Sequence, residues 1–220
     1  MKKLILFGGG KQAKCMYKVL SSEGVIIDGF CVDKDYYTDS VFLNKPMYDT
    51  DYFFKNCSPE EYSVFLPLSA KDRCRFRKKK FLQFQEQGYQ FFSFISKTSK
   101  NYTELSNIGT NVYFGHASAT HPDVIIEDNC YISEMTAIGH DCRIGKHSFI
   151  GPRVLLCGSC DIGERVIIGA GAILRENISI ADGSILGMGI SVHKSIDKEG
   201  VYVFSPLEEE HYIIRKKDSK

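Results

Sequence analysis

An α/β front portion followed by a parallel β-solenoid is the fold class this sequence predicts, and three observations predict it. From Ile108 to Asp197 the chain repeats every six residues. Ahead of that stretch, short apolar strands alternate with helical patterns. The first of those strands runs directly into a glycine turn, Gly8-Gly9-Gly10.

The front elements come in order. Lys3–Phe7 reads as a buried strand, Gly8–Gly10 as a turn, and Lys11–Ser22 as an amphipathic helix. Val25–Val32 reads as a second strand ending at Asp33, Tyr62–Leu66 as a third, Lys71–Gln87 as a helix and Tyr89–Ile95 as a fourth strand. Strands alternating with helices argue for a small parallel sheet. The expected division is a nucleotide-binding-like domain over residues 1–97 and a solenoid domain with its tail over 98–220, with Ser96–Ser106 as the hinge.

Within the hexads the aliphatic position is held by Ile108, Ile126, Ile132, Ile138, Ile144, Ile150, Leu156, Ile162, Ile168, Leu174, Ile180, Leu186 and Val192; Phe114 and Thr120 are the weak members. Four places after each comes a small or β-branched residue, such as Cys130, Cys142, Val154 or Ile196. A period of six is what a three-sided parallel coil requires, because each side takes one short strand and one corner. Fifteen hexads, three to a coil, give five coils stacked at ~4.8 Å, so residues 18 apart become neighbours. An ordinary sandwich would show turn signals every 8–12 residues and looser spacing.

The 28 basic and 27 acidic residues leave no whole-chain footprint for nucleic acid or membrane. No run approaches the roughly 18 apolar residues of a membrane span, and the apolar start breaks at glycines too soon for a signal peptide, so a cytoplasmic protein without membrane insertion is expected. Of eight cysteines, Cys130, Cys142 and Cys160 occupy the inward slot and read as core filler. The basic run Arg73–Lys80 has Phe76, Phe81 and Phe84 on its other face, and reads as a solvated helix face rather than a phosphate patch.

Two places can carry chemistry. A glycine turn at a helix N-terminus lets backbone N–H groups approach an anion, and an acid after the second strand is placed to accept ribose or base hydrogen bonds. Gly8, Gly9, Gly10 and Asp33 have that arrangement, although GGG followed by Lys11-Gln12-Ala13 is not a full GxGxxG, and three glycines can also make only a tight turn. In the solenoid, reactive groups belong at corners. His140 is such a group, Asp141 follows it, and Gly158 lies one coil above, leaving a notch beside the imidazole. A carboxylate near an imidazole orients it and raises its basicity, which suits a general base. His116 and His121 have the spacing of a zinc pair in gamma-type carbonic anhydrases, but where those need a third His this chain has Lys80. No metal is expected.

The segments Leu6–Ala13, Gly29–Asp33, Ile138–Gly145 and Gly200–Pro206 together resemble the NeuD/PglD-type bacterial sugar acyltransferases, over nearly the whole chain. The resemblance implies a left-handed β-helix (hexapeptide repeat) behind a small nucleotide-sugar-binding domain. It implies a homotrimer that transfers an acetyl group from acetyl-CoA, the co-substrate, to a nucleotide-linked amino sugar in surface glycan biosynthesis. His140 would be the general base and Asp141 its support; Phe149, Gly158, Ala170 and Met188 would contact acetyl-CoA; Gly8, Gly9, Gly10, Lys11, Gln12, Asp33 and Lys34 would hold the nucleotide sugar. The chain departs from the family pattern at Gln12, where a His is usual, and at Ser205-Pro206-Leu207. Two other readings stand beside N-acetyl transfer: O-acetylation of a sugar of the sialic acid type, and a non-catalytic trimer scaffold that only binds a nucleotide sugar.

Overall fold

The computed structural model describes residues 2–203 and the backbone of a short strand at 213–214; Phe204, Ser205, Pro206 and Leu207 of the closing segment lie outside the described residues. The front domain is built from β1 (Lys3–Phe7), α1 (Lys11–Ser22), β2 (Gly29–Val32), β3 (Val41–Phe42), β4 (Lys45–Asp49), α2 (Thr50–Asn56), β5 (Tyr62–Phe65), α3 (Arg75–Glu86) and β6 (Gln90–Phe91). Its sheet runs β3-β4-β2-β1-β5-β6, parallel except for the β3–β4 edge pair. The order reverses between β1 and β5, the point at which open α/β sheets bind ligands at the strands' carboxyl ends.

Three features of this domain escape the sequence pattern. The β3–β4 hairpin turns through Leu43 and Asn44, both left-handed, and Pro46 is tolerated because β4 lies near the sheet edge. α2 is set off by Asp49, whose carboxylate accepts the Tyr52 N–H at 2.9 Å. α3 starts four residues later than the pattern suggests, because Asp72, Arg73 and Cys74 all adopt left-handed backbone, with φ of 53, 50 and 60°.

The solenoid is a left-handed parallel β-helix. Its strands stack on three faces: face 1 holds Tyr113–Phe114, Tyr131–Ile132, Phe149–Ile150, Ile167–Ile168 and Ile185–Leu186. Face 2 holds Ala119–Thr120, Ala137–Ile138, Leu155–Leu156, Ile173–Leu174 and Ser191–Val192, and face 3 Ile125–Ile126, Arg143–Ile144, Asp161–Ile162 and Ser179–Ile180. Successive strands pair 18 residues apart, as in Tyr131↔Phe149 and Ile138↔Leu156. Each corner is turned by a left-handed residue, again every six positions, from Asn111 through Asp141 and Arg165 to Gly189. The inward aliphatic and small residues form one continuous core that includes Cys130, Cys142 and Cys160.

The six-residue register is broken at both ends. Tyr89–Ile95 is not one strand: β6 ends the front sheet, while Phe94–Ile95 pairs with Tyr113–Phe114 on face 1 at a spacing of 19. Ser96–Ser106 is therefore no hinge; Lys100–Asn101 extends face 2, and Ser96 and Thr103 are buried. At the other end Ile196 pairs with Ile180 rather than lying over Ile178, so the last coil is two residues short. Val201 likewise pairs with Ile185, and Ile213–Ile214 closes the sheet antiparallel to it.

The front domain sits on face 1. The outward rings Phe94, Tyr113, Tyr131 and Phe149 stack in a column with centroids 5.5, 4.4 and 4.8 Å apart. They pack in one cluster with Leu4, Leu6, Met16 and Phe30. α3 lies against the corner between faces 3 and 1, and here the basic run differs from a solvated face. Arg77 is fully buried: its Nη1 donates to the Leu68 carbonyl and its Nη2 to the Asn129 carbonyl at 2.5 Å. Lys78 pairs with Glu164 at 2.6 Å, Arg73 with Glu199 at 3.8 Å, and Lys80 with Asp33. Arg73, Arg77 and Lys78 thus bridge the seam between the two domains, while Lys80 stays within the front domain.

Candidate functional site

The corner between faces 2 and 3 is built by a short chain of local requirements. Gly139 has no room for a Cβ, which would fall 2.7 Å from the Gly158 nitrogen. Asp141 takes the left-handed corner position at φ 57°, and this turns its carboxylate back to His140 Nδ1 at 2.7 Å. Both side chains remain about 60% exposed. A carboxylate on Nδ1 holds the proton there and leaves Nε2 with its lone pair. Beside Nε2 lies Gly158, where an added Cβ would meet Nε2 and Cε1 at 2.6 Å each. His140, Asp141 and Gly158 thus form one notched corner that can accept a proton from a bound nucleophile.

The other three residues expected against acetyl-CoA lie elsewhere on the prism. Ala170 and Met188 stack at the corner between faces 1 and 2, and Phe149 is in the ring column under the front domain. Face 2 spans the two corners and presents Leu155, 40% exposed, and Ile173, 45% exposed, beside Met188 at 77%. This aliphatic strip is not singled out by the repeat, which distinguishes only inward from outward positions.

A second concavity of about 540 Å³ opens at the carboxyl ends of β1, β2 and β5. Phe7, Gly8, Gly9, Gly10, Val32 and Asp33 line it from one side and Tyr36, Leu68, Lys71, Asp72 and Phe76 from the other. Gly8 has φ +134°, which L side chains rarely adopt, and Gly10 begins α1 with no side-chain cap and no acid in the first turn. The helix N-terminus is therefore open to an anion.

Lys11, Gln12 and Lys34 are not among the lining residues. Gln12 Nε2 instead donates to the Pro67 carbonyl at 2.9 Å, tying α1 to the end of β5, and Lys34 pairs with Asp51 at 3.6 Å on the surface. Lys71, Asp72 and Phe76 were missed because their approach depends on the left-handed turn before α3, whereas Tyr36 and Leu68 follow the ends of β2 and β5. Among the described residues no group of three or more His, Cys, Asp or Glu could hold a metal ion, and no helix is long and apolar enough to cross a membrane.

Residues 123–158 and 141–176 match the family described as bacterial transferase hexapeptide (six repeats), and residues 161–194 match the hexapeptide repeat of succinyl-transferase. Both matches fall within the solenoid. No curated protein matches the chain in sequence. Among solved structures, the chain is similar to PerB from Caulobacter crescentus in complex with CoA and GDP-perosamine, at 22% identity and a TM-score of 0.81 over 98% of both chains. It is also similar to the acetyltransferase domain of PglB from Neisseria gonorrhoeae FA1090, at 20% identity and 0.78 over 94% of this chain and 98% of that one. WeeI from Acinetobacter baumannii AYE is 19% identical, with a TM-score of 0.77 over 94% of this chain and 98% of its own. These likenesses establish the two-part fold, an α/β front domain on a hexapeptide β-helix.

Proposed function

We propose that the chain is an acetyl-CoA-dependent N-acetyltransferase of a nucleotide-linked amino-deoxysugar, working in the cytoplasm in surface glycan biosynthesis. The observation that carries the reading is the His140–Asp141 pair, whose 2.7 Å contact at Nδ1 leaves Nε2 free beside the Gly158 notch. In the proposed step the sugar amine attacks the thioester carbonyl, Nε2 takes the proton released by the nitrogen and hands it to the departing sulfur, and coenzyme A leaves as the thiol. Backbone N–H groups would stabilise the oxyanion, and no covalent enzyme intermediate is needed. The front cavity, with its open helix N-terminus, is the proposed seat of the nucleotide diphosphate. PerB, of the same fold, is described with CoA and GDP-perosamine, which supports both ligand classes.

We infer a homotrimer as the working form. In a three-sided prism the corner between faces 2 and 3 is opposite face 1, so the front domain of a chain covers the side away from its own His140. The sugar bound by one chain would meet the histidine of a second, with acetyl-CoA between their solenoids. The exposed Leu155, Ile173 and Met188 strip on face 2 supports such an interface.

Thiol release from acetyl-CoA is the decisive assay, run with GDP-, UDP- and dTDP-linked amino sugars. Release with one of them and its loss in His140→Ala supports the reading. No release with any acceptor refutes it and favours the binding scaffold, and release with a sugar hydroxyl alone favours O-transfer.

A further inference from the structure

We propose that Lys80 is a positioning residue for the front cavity, its buried ammonium fixing the Asp33 carboxylate as a hydrogen-bond acceptor for the nucleoside of the bound ligand. The inference rests on the reading of that cavity as a nucleotide site. Lys80 lies in α3, far from the glycine turn in sequence, and its side chain is 7% exposed. Its Nζ ion-pairs with Asp33 Oδ1 and donates to Gln83 Oε1 at 2.7 Å. It stands 5.7 Å from the centroid of the Phe7 ring and 5.8 Å from that of Phe76, and both rings line the cavity. The ammonium is thus held behind the wall, between two aromatic rings and a carboxylate, and is withheld from solvent.

This arrangement divides the cavity by chemistry. At its glycine end, backbone N–H groups and the α1 dipole favour phosphate oxygens. At the Asp33 end a carboxylate, 21% exposed, stands ready to accept and repels a second anion. Lys80 occupies one oxygen of Asp33 and leaves the other able to accept from an O–H or N–H. A ribose hydroxyl or a base N–H meets that demand, and a phosphate oxygen does not. Without Lys80 the carboxylate would lose its anchor and turn toward water, and the nucleoside would lose a preorganised acceptor.

Binding of GDP, UDP and dTDP to the full chain is measured by calorimetry, and the tightest of them serves as the probe, with inorganic pyrophosphate as the control. Lys80→Met is expected to weaken the probe about ten- to a hundredfold, the range of a charge-assisted hydrogen bond, and to leave pyrophosphate unchanged. Asp33→Asn should cost a similar factor, and the double variant no more than either single change, because the two act through one contact. Lys80→Arg should restore part of the binding. Two results would overturn the proposal while the nucleotide reading stands: Lys80→Met binding the probe as the parent does although Gly9→Val abolishes it, or equal losses for probe and pyrophosphate. If none of the three diphosphates binds the parent protein, the nucleotide reading falls and the proposal with it. Should Lys80→Met not fold, Lys80→Gln is read in its place by the same criteria.

Discussion

Adding one methyl group at Gly158 tests the notch without disturbing the coil. The Cβ of Gly158→Ala would lie 2.6 Å from His140 Cε1 and Nε2, whereas carbon contacts settle at about 3.5–4.0 Å. The imidazole must therefore withdraw by about 1 Å. A withdrawal of that size stretches its 2.7 Å bond to Asp141 past the hydrogen-bonding limit. Gly158 is not among the left-handed positions and the ring is half in solvent, so the backbone accepts alanine and the ring can move. The stability change should stay within about 0.5 kcal/mol. A 1 Å displacement of a catalytic group costs on the order of a hundredfold in rate, so kcat should fall about a hundredfold while the melting temperature holds. Thiol release against acetyl-CoA concentration, with the acceptor that supports turnover, reads both constants. Parental kcat and KM in Gly158→Ala would refute the assignment of His140 and its notch to the transfer.

His140→Ala should lower kcat by about 10²- to 10⁴-fold without loss of stability, and Asp141→Asn, which tolerates the same left-handed backbone, by less; steady-state thiol release compares them. Leu155→Glu on face 2 should convert the assembly to monomers and abolish transfer while folding is retained, as light scattering would record. Burial pushes the His147 imidazole down to about 4, so its neutral form is the folded one. Its stabilisation is complete above the ordinary histidine value near 6.5 and is lost as pH falls toward 4, by up to about 3 kcal/mol; His147→Asn should flatten that part of a melting profile. Arg77→Met removes the donor to Leu68 within the front domain and to Asn129 across the domain seam, and should cost about 2–4 kcal/mol in chemical denaturation.

The solenoid was legible because its period is imposed by geometry: the same two positions of every six face inward, and Ile144 and Ile162 have no alternative to burial. His140 and Gly158 were legible for the same reason, since 18 residues make one turn. The register slips at Phe94 and Ile196 were not, because one residue added at one end of the stack and two missing at the other leave the local composition unchanged. In the front domain the glycine turn and Asp33 stand out through residue type, whereas Lys71, Asp72 and Lys80 depend on a left-handed turn of three ordinary residues. The buried Arg77 escaped for another reason. It replaces water with the carbonyls of Leu68 and Asn129, partners 9 and 52 residues away, and no local pattern records such a contact.

The ring column on face 1 also acts as a ruler. Phe94, Tyr113, Tyr131 and Phe149 grip the front domain over the first coils of the stack, and His140 belongs to the turn that joins Tyr131 to Phe149. Rotation about a threefold axis along the prism changes no height, so every chain of the proposed trimer presents its histidine at the level where its neighbour holds the front domain. A whole coil inserted below Phe94 would leave that match intact. One inserted between Phe149 and Ile167 would lengthen the stack above it, and one inserted between Phe94 and Tyr131 would lift the histidine by ~4.8 Å against the cavity it has to serve.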